Sequence, residues 1–456
     1  MNFQASVEYL YGLGNEVLAM KLGLENISKL LDALGNPQKK YLKVQIAGTN
    51  GKGSTVAFLE AICLQAGIEV GSTTSPHLIS ITERVKINGQ EISEKDFARH
   101  ATKIREISEK LVEAGKLETV PTYFEQVTAI ALNAFAEAKV ELAILETGLG
   151  GRFDATTAAK AEIVAITPID FDHQQILGDS LKEIAAEKAA IIRENTKVVV
   201  ANQQIEAMNV ILQRCAKFGV SPNLAENISA NRSPRVSKGE IFYSENCVDS
   251  NSRSFDSALA YAQASVSFEA KYENVRLGLL GKHQIENAKT AILLAEILQD
   301  YFKITNANII EGLQTATHKG RLEFCENFLF DGAHNVAGAK ALREYLDEAI
   351  TRPITMIFGA MRDKDLTEIA EILFPKADKL ILTKPDNPRS METAELLYFV
   401  PTKFENENVH ISETVADAIE KAREISSENY LILITGSLYL VGEAQNFLQN
   451  EESENL

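Results

Sequence analysis

The stretch YLKVQIAGTNGKGS, residues 41–54, joins a strand-like run (Tyr41 to Ala47) to a helix-like one (Ser54 to Gln65). Between them lie Gly48, Thr49, Asn50, Gly51, Lys52 and Gly53. A phosphate-binding loop needs this context. Glycines let backbone N–H groups turn inward around phosphate oxygens, a lysine brings a cation, and the Ser54 or Thr55 hydroxyl opens a helix whose N-terminus favours anions. The spelling departs from the usual G-x-x-x-x-G-K-[ST], because Gly48 and Gly51 are only three apart and Gly53 separates Lys52 from Ser54. Read without its surroundings, the loop is also a Gly-rich turn.

Working outward, short apolar runs alternate with amphipathic segments of helical length. Strand candidates are Val44–Ala47, Leu142–Leu145, Ile163–Thr167 and Val198–Ala201, then Ile354–Phe358, Lys379–Thr383 and Tyr430–Thr435. They are nearly continuous in Ile, Val, Leu and Ala, the composition of strands covered on both faces. Between them, Ser93 to Glu113 carries Phe97, Ile104, Ile107 and Leu111 on one helical face, with Ser93 and Asp96 placed as a cap. This alternation predicts a doubly wound α/β architecture. The stretch 221–276 breaks the pattern and predicts a surface excursion with strands at Gly239–Tyr243 and Ala264–Phe268. A second α/β series follows, and the expected domains are 1–317 and 318–456.

At 456 residues the chain can bury two or more cores, and 45% apolar with 24% charged residues is ordinary for a globular protein. A net charge of −17 argues against nucleic acid as a partner. No apolar run reaches the roughly 20 residues of a membrane span, and no signal peptide is evident. The expected address is the cytoplasm, and the absence of an apolar heptad suggests a monomer. Cys63, Cys215, Cys247 and Cys325 show no metal-like pairing and are expected to be reduced.

Polar residues collect where the strands end, which is where open α/β sheets bind ligands. Glu146 follows Leu142–Leu145 and precedes Gly148, Gly150 and Gly151; Asp170, Asp172 and His173 follow Thr167. A carboxylate such as Glu146 suits magnesium, which prefers oxygen ligands, better than a lone histidine does. In the second series, Asp331-Gly332-Ala333-His334-Asn335 follows Phe328–Phe330, and Gly436-Ser437 follows Tyr430–Thr435. Asn335 and Ser437 are equally well placed to cap the helices after them.

Together these residues resemble the Mur ligase superfamily, and within it the folylpolyglutamate synthase and dihydrofolate synthase family. The resemblance runs nearly the full length. It rests on the Gly48–Ser54 loop, Thr74-Ser75-Pro76-His77-Leu78, the run from Glu146 to Thr156, Asp172-His173, Glu187-Lys188-Ala189, His283-Gln284 with Asn287, Gly320-Arg321-Leu322-Glu323, Asp331–Asn335, and Phe358-Gly359 with Asp363-Lys364-Asp365. It implies an N-terminal ATPase domain and a C-terminal Rossmann-like domain that form an amide in the cleft between them. A dihydropteroate or folate carboxylate would attack the γ-phosphate of ATP, and L-glutamate would displace phosphate from the acyl phosphate. By the same resemblance the Gly48–Thr55 loop, His283, Asn287, Arg321 and Asp331 contact ATP. Ser54, Ser75 and Glu146 serve one Mg2+, His173 a second, and Arg84, Asp154, Ala155, His334 and Ser437 face folate or glutamate. Lys188 matches the lysine that the family carbamylates; helical patterning alone makes it a solvated lysine on Leu181–Ile192.

Pro121-Thr122-Tyr123-Phe124-Glu125 resembles the segment of bifunctional members and favours two activities, first on dihydropteroate and then on tetrahydrofolate polyglutamates. Val336, Thr157 and Phe153 depart from the family wording, and Phe153 stands next to Asp154 at the expected pterin position. Two other readings stay open: a superfamily ligase acting on a cell-wall nucleotide precursor, and an ATP-dependent switch that forms no amide.

Overall fold

The computed structural model describes residues 1–14, 23–232, 266–269, 271–402, 404 and 406–454. Three sheets form among them. The largest takes β1 (Leu42–Ala47), β2 (Val70–Thr73), β3 (Lys86–Ile87), β4 (Gln90–Glu91), β5 (Leu142–Glu146), β6 (Ile163–Ile166), β7 (Lys197–Val200) and β8 (Pro222–Leu224). Their order is β4-β3-β2-β5-β1-β6-β7-β8. All neighbours are parallel except where the hairpin β3–β4 adds to β2. Every residue of β5 and β6 is buried, which explains why their runs lack polar alternation. The helix Lys52–Gln65 leaves β1, and the helix Tyr123–Ala138 precedes β5 with a capping box from Thr122 and Glu125. A small sheet holds β9 (Ala230–Arg232), β10 (Val266–Phe268) and β11 (Tyr272–Val275). The strand expected at 264–268 thus has a described counterpart, and the one expected at 239–243 lies outside the described residues.

The third sheet contains β12 (Glu323–Cys325), β13 (Phe328–Asp331), β14 (Ile354–Phe358), β15 (Lys379–Leu382), β16 (Val409–Ile411) and β17 (Leu431–Thr435). It is ordered β12-β13-β17-β14-β15-β16, with β12 antiparallel and the rest parallel. The doubly wound α/β expectation therefore holds in both halves of the chain. The chain divides into two compact units: Met1–Ala230, Phe268–Val275 and Glu286–Ala316 make one, and the other contains Arg276–Ile285 and the chain from Thr317 onward. Each has its own core, around Phe97, Ile130, Phe135 and Val164 in the first and around Leu329, Met356, Phe374 and Leu433 in the second.

Cys63 and Cys215 are buried free thiols. Cys325 is disulfide-bonded, against the expectation that all four cysteines are reduced. Among the described residues no helix is long and apolar enough to cross a membrane.

Candidate active site

In the first unit, strand register decides which polar residues meet. β1 lies between β5 and β6, with Ile46 opposite Glu146 and Ala47 opposite Ile166. The loops that begin at Gly48, Glu146 and Thr167 therefore open at one carboxyl edge, where the chain order in the sheet reverses. Contact is close: a Cβ on Gly48 would lie 1.9 Å from Thr167 Oγ1. Thr49 and Asn50 both donate their N–H to Pro168 O, at 3.0 and 3.1 Å, and Thr49 Oγ1 donates to Asp170 O at 3.0 Å. These bonds lock the first half of the loop to the loop after β6.

Gly51 is the left-handed N-cap of the helix Lys52–Gln65, with φ 83°, and an added Cβ would stand 2.1 Å from Asn287 Oδ1. This brings Asn287 to the phosphate loop. Helix geometry leaves the N–H groups of Lys52, Gly53 and Ser54 without intrahelical acceptors, the arrangement an anion needs. Thr55 contributes less than expected. Its N–H already closes the first turn onto Gly51 O at 2.9 Å, and its side chain is fully buried.

Two lysines converge on one carbonyl. Lys52 Nζ donates to Gly48 O at 3.2 Å and Thr49 O at 3.1 Å, and Lys188 Nζ donates to the same Gly48 O at 2.9 Å. Lys188 is only 4% exposed, which overturns the solvated reading from helical patterning. Burial first, and then the Lys52 ammonium, bring its pKa down to about 7, opposed by Asp172 and Asp154. The helix Leu181–Lys188 ends at this residue, shorter than the expected 181–192, and continues as a 3-10 turn.

Glu146 is 6% exposed and accepts Ser75 N–H on Oε2 at 3.0 Å. His173 sits in the left-handed region at φ 50°, with Nε2 3.7 Å from Asp172 Oδ2. Among the described residues no three His, Cys, Asp or Glu side chains gather as a metal cluster. The donors on hand, the Glu146 carboxylate and the Ser54 and Ser75 hydroxyls, are all oxygens. That set fits Mg2+, which keeps waters and phosphate oxygens beside one or two protein ligands.

Asp154 faces its own loop. Oδ2 accepts from Leu149 N at 2.9 Å, and Oδ1 accepts from Thr156 N at 3.0 Å and Thr156 Oγ1 at 2.5 Å. Ala155 begins the 3-10 turn that Asp154 caps. Phe153 beside them is 38% exposed. Arg84 is buried; its Nε donates to His77 Nδ1 at 2.8 Å and its guanidinium lies 5.4 Å from the centre of the Tyr123 ring. His77 Nδ1 therefore accepts, and Nε2–H is left to donate to Tyr11 Oη, 3.1 Å away.

In the second unit, Asp331 ends β13 and accepts from Leu322 N and Ala333 N, both at 3.0 Å. Burial raises its pKa, with Arg321 opposing. His334 Nδ1 donates to Gly332 O at 2.7 Å. His283 is held near pKa 4, by burial first and Arg321 second, so it is neutral at pH 7. Its Nδ1 is buried and has no hydrogen-bond partner. Ser437 Oγ accepts from Tyr439 N at 3.1 Å and Asn335 Oδ1 from Gly338 N at 2.8 Å, the capping alternative weighed for both. A Cβ on Gly332 would lie 2.2 Å from Leu438 Cδ2, which brings the loops after β13 and β17 together.

Sequence reasoning passed over Pro168 O, whose role leaves no residue-type signal, and Glu83, which Ser80-x-x-Glu83 marks as a capping box.

Two family models match: the Mur ligase middle domain over residues 46–295 and the Mur ligase glutamate ligase domain over 320–438. A dihydrofolate synthase/folylpolyglutamate synthase of Bacillus subtilis (strain 168) is 35% identical over 96% of this chain and 97% of its own length. Among solved structures, Mycobacterium tuberculosis folylpolyglutamate synthase complexed with ADP matches at TM-score 0.85 and 28% identity, covering 98% of this chain and 99% of that one. A bifunctional folylpolyglutamate synthase/dihydrofolate synthase with Mn, AMPPNP and L-glutamate bound matches at TM-score 0.79 and 27% identity, covering 98% of each chain. With the phosphate loop, the acidic strand end and the buried lysine at one sheet edge, the chain belongs to the dihydrofolate synthase/folylpolyglutamate synthase family of Mur ligases.

Proposed function

We propose that this protein joins L-glutamate to folate carboxyl groups with cleavage of ATP, acting on dihydropteroate and on tetrahydrofolate polyglutamates. The observation that carries the reading is the meeting of the Gly48–Ser54 loop, Lys188 and Glu146 at one sheet edge in a chain of this family. A carboxylate is a poor electrophile until its oxygen becomes a leaving group. The substrate carboxylate oxygen attacks the γ-phosphorus and ADP departs; the glutamate nitrogen then attacks the acyl carbon, phosphate departs and a proton is lost. Phosphoryl transfer of this kind depends on positioning and charge neutralisation.

Lys52 and the first-turn N–H groups hold the phosphates, aided by Ser54. Magnesium, when bound by Ser54, Ser75 and Glu146, with His173 at a second ion, supplies charge neutralisation at the transferring group. His283, Asn287, Arg321 and Asp331 contact the nucleotide, and Arg84, Asp154, Ala155, His334 and Ser437 act towards folate and glutamate. The ATP and folate work belongs to residues 1–317, with 318–456 as the second domain. Lys188 is the carbamylation site: its ammonium first releases a proton, the neutral amine then attacks CO2, a second proton leaves the nitrogen, and the resulting carbamate presents oxygens to cations. Its burial beside Lys52 supports this reading, since two neighbouring ammonium groups repel.

The test is ATP-dependent incorporation of labelled L-glutamate by the purified protein, with magnesium and bicarbonate, on dihydropteroate and tetrahydrofolate in parallel. Product from both is expected. Product from tetrahydrofolate alone removes the dihydrofolate synthase activity. Turnover of a cell-wall nucleotide precursor instead, or ATP binding with no amide from any acceptor, overturns the folate reading. The proposal includes a monomer in the cytoplasm, checked by light scattering and cell fractionation.

A further inference from the structure

The loop Thr74–Ser80 supplies Ser75 to the candidate metal seat, yet it has no regular secondary structure to hold it. One side chain does that work. Glu83 Oε2 accepts the N–H of Leu78 at 2.8 Å, and Oε1 accepts those of Ile79 at 2.8 Å and Ser80 at 2.9 Å. Its own carbonyl accepts from Thr74 Oγ1 at 3.5 Å. Glu83 is 8% exposed, so these three main-chain dipoles are what compensates a carboxylate withdrawn from water. The next residue, Arg84, fixes the middle of the loop through His77. At its start, Ser75 N–H reaches Glu146 Oε2 at 3.0 Å. The chain of contacts thus runs from Glu83, through the backbone of the loop, to the Glu146 carboxylate at the end of β5.

We infer that Glu83 is a positioning residue for the divalent cation: it sets the loop on which Ser75 is presented and through which Glu146 is oriented. The inference rests on the functional reading above. A glutamine at 83 is the same size but offers one oxygen to three donors and turns an NH2 towards another N–H, so the loop loses its anchor with little change in volume. An aspartate keeps the charge and falls short of the full set.

The experiment titrates Mn2+ into the full-length protein saturated with a non-hydrolysable ATP analogue, read by the electron paramagnetic resonance of free Mn2+. Wild type, Glu83→Gln, Glu83→Asp and the remote helix-cap variant Ser93→Ala are compared. Glu83→Gln is expected to weaken Mn2+ binding about 10-fold, the usual size of an outer-shell effect. Metal-free analogue binding stays at the wild-type level, and Ser93→Ala leaves both unchanged. A purely structural Glu83 would lower the melting temperature without moving the Mn2+ affinity, and wild-type affinity in folded Glu83→Gln overturns the inference. Should that variant not fold, Glu83→Asp decides: weaker Mn2+ binding supports the anchor and unchanged binding removes it. The ratio of variant to wild type tests Glu83, whereas wild-type protein that binds neither analogue nor Mn2+ removes the functional reading and the inference with it.

Discussion

A lysine taken from water and set beside another ammonium is strained electrostatically, and Lys188 carries that strain in measurable form. Its pKa is lowered from 10.5 to about 7 in the folded chain. Below about 7 both states hold the proton and the burial penalty is felt in full. Between about 7 and 10.5 the unfolded chain holds a proton that the folded one has released, so stability rises with pH across that window. In CO2-free buffer, Lys188→Met should therefore melt above the wild type near neutral pH, and the difference should shrink as pH rises towards 10.5. A difference independent of pH would count against the lowered pKa. Gly51 gives a second residue-level expectation. At φ 83°, with Asn287 Oδ1 2.1 Å from any added Cβ, Gly51→Ala meets both backbone strain and collision. Left-handed backbone alone costs about 1–2 kcal/mol, so the variant should be destabilised by at least that much in denaturant unfolding; unchanged stability would contradict the close fit.

Among elements, the loop after β5 and the helix Leu181–Lys188 act as one piece. Arg152 joins them: its N–H donates to Glu187 O at 3.0 Å, Nε to Glu187 Oε1 at 2.8 Å and Nη2 to Ala186 O at 3.3 Å. Gly151 permits the approach, since a Cβ there would lie 2.8 Å from both Glu187 O and Lys188 O. The ion pair is partly exposed and contributes at most about 1 kcal/mol to stability. Arg152→Ala should therefore lower the glutamate-incorporation rate severalfold with only a small shift in melting temperature; a large loss of stability at unchanged rate would contradict this account. These elements also mark what the sequence discloses. Strands such as Ile163–Ile166 and Leu431–Thr435 were legible because burial on both faces leaves an unbroken apolar run. β2 was not: Val70-Gly71-Ser72-Thr73 is polar in composition yet fully buried, and Ser72 Oγ donates to Glu60 Oε1 at 2.6 Å. The site's acidic and glycine-rich loops were legible from their place after strands. The inward turn of Asp154 and the burial of Lys188 were not, because both depend on partners distant in sequence or on loop geometry that residue type does not encode.

For the whole molecule, two compact units with separate cores predict unfolding in more than one step. Scanning calorimetry should resolve two transitions, and an ATP analogue with Mg2+ should raise the one belonging to the unit that carries Gly48–Ser54, since a ligand stabilises the state that binds it. A single transition that matches its van't Hoff enthalpy would show the units to be cooperative. The close fit of Gly51 to Asn287, and of Gln65 to Asn308, whose Nδ2 donates to Gln65 O at 2.7 Å, bears on how the protein is born. The helix Lys52–Gln65 leaves the ribosome early, while the helices His283–Leu298 and Asn306–Thr315 that wall it come late. A nascent chain thus displays its phosphate turn with one side bare until these later helices have been made, and competence to hold nucleotide waits on them.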